Sequence, residues 1–321
     1  MSNAVETSKT TGNGPGFGEE LAMVWRAMPD KGLFLGLLGA WLALFHFLGN
    51  STFGYLDSPS LFGWLKFVYT TTPDDEHGML VPLVVLALFW WKRQGLLAVP
   101  KQNWWPALAL VGFALLLHMG GYLVQQTRIS VIAFFIGIFG LTGLVWGRAW
   151  LRESFFPYFL FAFCLPLATV SEVVTFPLRL IVTRIVVVIS QILGVDVIRD
   201  GTQIFNAAHT FAFEVAPACS GIRSLLAMAA VTTIYAFMSF ATGWKRLVVM
   251  LAAIPLAVLG NVTRLTLVVV TAAAFGQDAG AWVEQKLGIV TFIAALGGMF
   301  LLGMLLREPK TAPPPAEPKA A

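Results

Sequence analysis

Apolar residues run along this chain in long blocks broken by short polar or basic stretches. The pattern predicts about eight membrane-spanning helices, near 33–49, 77–92, 106–125, 129–147, 153–171, 220–242, 247–274 and 287–306. A helix rises ~1.5 Å per residue, so ~20 apolar residues cross a hydrocarbon core of ~30 Å. The second block is the shortest, since only Met79 to Trp91 is free of charge; Lys92 and Arg93 extend it by snorkelling. Trp90, Trp91, Trp104 and Trp105 flank that basic loop as an interfacial aromatic belt would. Val173–Val195 is apolar enough to be a further span but carries Arg179 and Arg184, which are costly inside a bilayer. It is expected to be a helix lying at, or dipping into, the outer interface. In 199–217 the periodicity changes. Phe211, Phe213 and Val215 alternate with Thr210, Ala212 and Glu214, and a period of two predicts a short β-hairpin outside the membrane, which Pro217 ends.

The fold expected is therefore an all-α integral membrane protein with an outer-face interfacial helix and a short β-hairpin. Residues 1–30 are expected to be a mobile cytoplasmic tail, 31–306 the multi-pass membrane domain, and 307–321 a disordered Pro-rich cytoplasmic tail. No apolar run follows a basic start in residues 1–20, so the first apolar block is expected to remain as a helix.

Composition agrees. Hydrophobic residues make up 57% and charged residues 12%, against ~25% charged in soluble domains. That excludes a disordered chain and a soluble nucleotide-binding fold. The net charge of +4 implies no nucleic-acid partner, because basic cytoplasmic loops give the same sum. Membrane lipids are the surroundings it implies. With both ends in the cytoplasm, Arg26, Lys31, Lys92, Arg93, Lys101, Arg148, Arg152, Lys245, Arg246, Arg307 and Lys310 lie inside. Asp74, Asp75 and Glu76 then lie outside. Two cysteines, Cys164 and Cys219, make no disulfide framework.

Three features could carry chemistry. In Pro217-Ala-Cys-Ser-Gly-Ile-Arg-Ser224, Cys219 falls at the outer mouth of the sixth span, near a helix N-terminus, with Ser220 next to it. Unpaired N–H groups and the helix dipole favour a thiolate there, and Arg223, four residues on, adds positive charge. The bland alternative is a small buried residue beside an interfacial anchor. In Gly260-Asn-Val-Thr-Arg264, Arg264 lies ~26 Å along a span that starts inside, near the same outer face as Cys219. Asn261 shares its helix face. The alternative is a snorkelling or structurally paired arginine. Among the histidines, His77 and His209 are on the outer side and could serve a cysteine as base; a plain loop or cap role is the alternative for each. His46, His118 and Cys164 are expected to be packing residues. There is no metal-ligand spacing, and no metal or cofactor is implied.

At Pro217–Ser224 and Asn261–Arg264 the chain resembles the exosortase/archaeosortase family, in its bacterial exosortase branch. The His77-Gly-Met-Leu-Val-Pro82 run looks like that family's early element, and Gly194-Val-Asp-Val with its short strand pair looks like the lead-in to the cysteine. The resemblance covers roughly residues 30–306. It implies Cys219 as nucleophile and Arg264 as stabiliser of the thiolate or oxyanion, with Arg223, Asn261 and Ser220 supporting. It also implies a third basic residue in the last outer loop, usually His. Here 276–288 holds no histidine, and the place falls near Gln285 or Lys286. Lys286, His209 and His77 are the candidates for that third role.

The resemblance implies a cysteine protease/transpeptidase in the bacterial cytoplasmic (inner) membrane, its site facing the periplasm or exterior. Its partners would be secreted proteins bearing a PEP-CTERM-like C-terminal sorting tail: a short signature, an apolar helix and a basic end. A transporter or channel is one rival, since intramembrane arginines mark anion pathways, but the polar residues gather at one face. An inactive scaffold of an exopolysaccharide or envelope system is the other. The sequence carries no signal of oligomeric state.

Overall fold

The computed structural model describes residues 16–52, 56–168, 172–214, 222–286 and 288–307. They fall into two compact units, the described residues of 1–65 with 81–165, and those of 66–80 with 166–321.

The first unit holds α1 (Phe17–Ala27), α2 (Lys31–Leu48), the start of α3 (Leu61–Thr71), α4 (Val81–Trp91), α5 (Arg93–Ala98), α6 (Leu108–Leu123) and α7 (Thr127–Phe159). Helices α2, α4 and α6 all pack on α7. Trp41 of α2 donates its indole N–H to the Phe134 carbonyl at 3.1 Å, and fully buried Phe45 packs on Phe134 and His118. His118 is buried as expected, 2.9 Å from the Ser130 hydroxyl, whereas His46 is exposed and lies 3.3 Å from the hydroxyl of Ser60. Cys164 is buried in a short helical turn after α7. The fourth expected span and the start of the fifth lie on either side of a break in α7 at Gly147, which has φ 91°. Only glycine adopts that conformation freely, and a side chain there would meet the Gln102 carbonyl. The expected tail over 1–30 contains α1. Glu20 accepts from Arg93 at 2.8 Å and Phe17 packs on Trp90.

The second unit holds the rest of α3 and a short 3-10 turn (Glu76–Met79), followed by α8 (Glu172–Ile192) and a sheet of β1 (Val197–Asp200), β2 (Gln203–Asn206) and β3 (Ala212–Glu214). After these come α9 (Ile222–Ser239), α10 (Gly243–Leu251), α11 (Ala253–Phe275), α12 (Gln277–Lys286) and α13 (Gly288–Leu305). Helix α11 is central, with α8, α9, α12 and α13 all packed on it. Its buried positions Leu256, Ala257, Gly260, Asn261, Leu265, Val268, Val269 and Ala272 recur at helical spacing. Val182 and Val186 of α8, Val197, Ile204 and Phe213 of the sheet, and Val283 of α12 complete one core with α11.

Among the described residues, five segments are long and apolar enough to cross a membrane: 31–48, 105–123, 127–164, 175–192 and 243–275; three shorter apolar helices cover 76–91, 225–239 and 292–305. The 127–164 segment is one run broken at Gly147. The region expected to lie at the interface is a helix of span length, with Thr175, Arg179, Val182, Val186 and Ser190 forming one buried stripe. The expected β-hairpin is a three-stranded antiparallel sheet in the order β1-β2-β3. Its inward alternation holds, with Phe211 and Phe213 buried and Ala212 exposed.

Candidate functional site

Arg264 sits half-buried on α11, one turn beyond buried Asn261. Its Nη2 donates to the Glu284 carbonyl at 2.9 Å. Glu284 lies in the last turn of α12, where carbonyls have no partner within the helix, so a guanidinium is well placed to cap it. The last outer loop expected over 276–288 is thus mostly a helix. It starts after Gly276, presents Gly280 and Val283 to the core, and leaves Gln285 and Lys286 exposed.

His77 lies in the turn after α3. Its Nδ1–H donates to the Asp74 carbonyl, 3.1 Å away. In the neutral ring this leaves the lone pair on Nε2. That Nε2 is shielded from solvent and has no hydrogen-bond partner among the described residues. Two contacts hold the turn. Gly78 packs so closely on the Tyr69 ring that a Cβ would come within 2.5 Å of it. Asp75, only 1% exposed, accepts main-chain N–H bonds from Leu167 at 2.9 Å and Ala168 at 3.1 Å. These fix the orientation of the His77 ring, with Nε2 turned away from the Asp74 carbonyl.

His209 is different. It has φ 51°, stacks on Phe205 with ring centroids 4.9 Å apart, and is exposed in the turn between β2 and β3. The Asn206 side chain closes that turn, accepting the Thr210 N–H at 2.8 Å. Sheet and helix are tied by Gln277, the first residue of α12. Its Oε1 accepts the Ala212 N–H at 3.1 Å and its Nε2 donates to the Ala212 carbonyl at 3.2 Å.

Arg264, Asn261, His77, His209 and Lys286 all belong to the second unit. Cys219 and Ser220 lie outside the described residues, between β3 and α9. Arg223 falls in the first turn of α9 and its side chain also lies outside them. Among the described residues no group of three His, Cys, Asp or Glu could hold a metal ion. Asp75 and Gln277 were not singled out from the sequence. For Asp75 the available signal was its place in Asp-Asp-Glu-His-Gly; for Gln277 it was the position after a helix-ending glycine.

Comparison with known proteins bears on this arrangement. No curated protein and no solved structure matches the chain. Residues 64–301 match the family described as transmembrane exosortase (Exosortase_EpsH). That stretch takes in the His77 turn, Cys219, Arg264 and α12, well over half of the sequence. On that match the chain is a membrane protein and belongs to the transmembrane exosortase family.

Proposed function

We propose that this protein is a cysteine protease/transpeptidase that removes C-terminal sorting tails from secreted proteins at the outer face of the bacterial inner membrane, with both termini cytoplasmic. The carrying observation is Arg264: a half-buried guanidinium on the central helix that donates to the Glu284 carbonyl, in the Asn261–Arg264 motif that resembles the family's arginine element. The tail's apolar helix would lie in the bilayer, stopped by its basic cytoplasmic end, which brings its signature to Cys219.

The Cys219 thiolate attacks the scissile carbonyl, and the oxyanion forms near Arg264, where poor hydration strengthens the attraction. The C–N bond breaks, the tail's amine leaves with a proton from the base, and a thioester remains. Water or an acceptor nucleophile then gives its proton to the base and releases the processed protein. Of the three candidates for that base, His77 is favoured by its buried, unpartnered Nε2; His209 and Lys286 are exposed.

The test is a processing assay in cells. A tagged protein with a sorting tail from the same genome is co-expressed with wild type, Cys219→Ala or Arg264→Ala, and tail removal is followed on a gel. Removal by wild type alone supports the reading. Processing by Cys219→Ala sinks the nucleophile assignment. One observation favours a second reading, an inactive scaffold: 276–288 contains no histidine. A scaffold would leave every tail intact and keep its function with Cys219→Ala.

A further inference from the structure

At the other end of the second unit a cavity of about 330 Å³ opens between the C-terminal ends of α9 and α13. Tyr235, Ser239, Phe240, Gly303, Met304 and Arg307 line it. The Tyr235 hydroxyl, the Ser239 hydroxyl and the Arg307 guanidinium are its polar groups, and none makes a hydrogen bond among the described residues. Two further cations stand at the rim with their work in place. Lys245 donates to the Leu306 carbonyl at 3.0 Å, and Arg246 Nε donates to the Phe240 carbonyl at 2.7 Å. They neutralise the negative helix ends that would otherwise repel an anion. Helices α9, α10 and α13 contain no acidic residue.

The site is held in shape. The Tyr235 ring makes edge contacts with Phe240 and Phe300 at 5.9 and 5.6 Å between centroids. Gly303 leaves room for its hydroxyl, since a Cβ there would collide with it. Phe300, Met304 and Arg307 follow at i, i+4 and i+7, so they share one face of the α13 run, and Phe300 and Met304 are exposed. That face is apolar toward the middle of the helix and cationic at its end.

We propose that this cavity binds the phosphate of an anionic phospholipid. Two hydroxyl donors and a guanidinium fork suit the phosphate oxygens. Phe300 and Met304 carry the start of an acyl chain, and the basic rim with no carboxylate in its helices selects against a headgroup bearing its own ammonium. The chemistry belongs to any phosphate, but the apolar stripe running from the cationic end selects the lipid over the free ion.

The experiment is native mass spectrometry on the full chain released from micelles, titrated with phosphatidylglycerol, phosphatidylcholine or inorganic phosphate. Wild type is expected to bind phosphatidylglycerol about tenfold more tightly than phosphatidylcholine, with inorganic phosphate failing to displace it. Arg307→Gln, and separately Tyr235→Phe with Ser239→Ala, are expected to remove that preference. Arg184→Gln, exposed on α8, should keep it. Arg307 is exposed, so its variant should fold; an unchanged thermal midpoint checks this. Equal affinity for the two lipids, an unaltered preference in Arg307→Gln, or displacement by millimolar phosphate would each overturn the proposal.

Discussion

Replacing Asp75 with alanine tests how the His77 turn is held. The carboxylate is 1% exposed and receives the Leu167 and Ala168 N–H groups at 2.9 and 3.1 Å, with a weaker contact of 3.4 Å to its second oxygen. A hydrogen bond to a charged group contributes ~1.5–3 kcal/mol, and the two N–H groups are only part-buried, so losing both should cost about 2–4 kcal/mol. For a unit of ~170 residues that is a fall of roughly 4–16 °C in thermal midpoint. Asp75→Asn is the control. Its amide oxygen can take both short bonds, because Oδ1 is the acceptor in each, and the loss should stay below about 1 kcal/mol. The assay is a thermal melt of purified protein in micelles, read beside tail processing. If Asn costs as much as Ala, the charge matters rather than the bonding. If Ala costs nothing, Asp75 does not hold the turn.

Other outcomes follow from the same geometry. His77→Gln should slow tail release by ~10²–10⁴-fold, while His209→Gln and Lys286→Gln stay near wild type; the reverse pattern would move the base elsewhere. Arg264→Lys keeps a cation near the Glu284 carbonyl but loses the fork, so release should fall ~10²–10³-fold with little change in melting. Equal loss of stability and activity would make Arg264 a helix cap alone. Gly147→Ala should cost ~1–3 kcal/mol in stability, measured by melting, because φ 91° strains any other residue. Gln277→Ala should speed hydrogen exchange at Ala212, since it removes both bonds to that residue, worth ~0.5–1.5 kcal/mol each.

Much of this fold was legible because apolar runs and helix spacing are local signals. The apolar run that became α11 and the alternation of Phe211 and Phe213 were both visible in the sequence. The third strand was missed although Asp200-Gly201 is a hairpin signal, because Val197–Asp200 is only four residues long and its apolar count is small. α8 is of span length and apolar although it carries two arginines. Arg179 is in fact buried, while Arg184 lies on the exposed side of the same helix. The supports of the candidate site were the least legible. Asp75 meets partners 92 and 93 positions away, and Gln277 meets one 65 positions away. No local pattern encodes such pairings; only the folded chain brings them together.

The small sheet has a glutamine at each side. Gln191, from the end of α8, donates to the Val197 carbonyl of β1 at 3.2 Å, and Gln277 fills both main-chain groups of Ala212 on β3. An amide side chain carries the same donor and acceptor as a peptide unit, so each glutamine acts as a one-residue substitute for a missing neighbour strand. A sheet of three short strands would otherwise offer open edges to any extended chain nearby, another copy of this protein included. Here an incoming strand must first evict a side chain that is tethered to its own helix, so the sheet stays three strands wide.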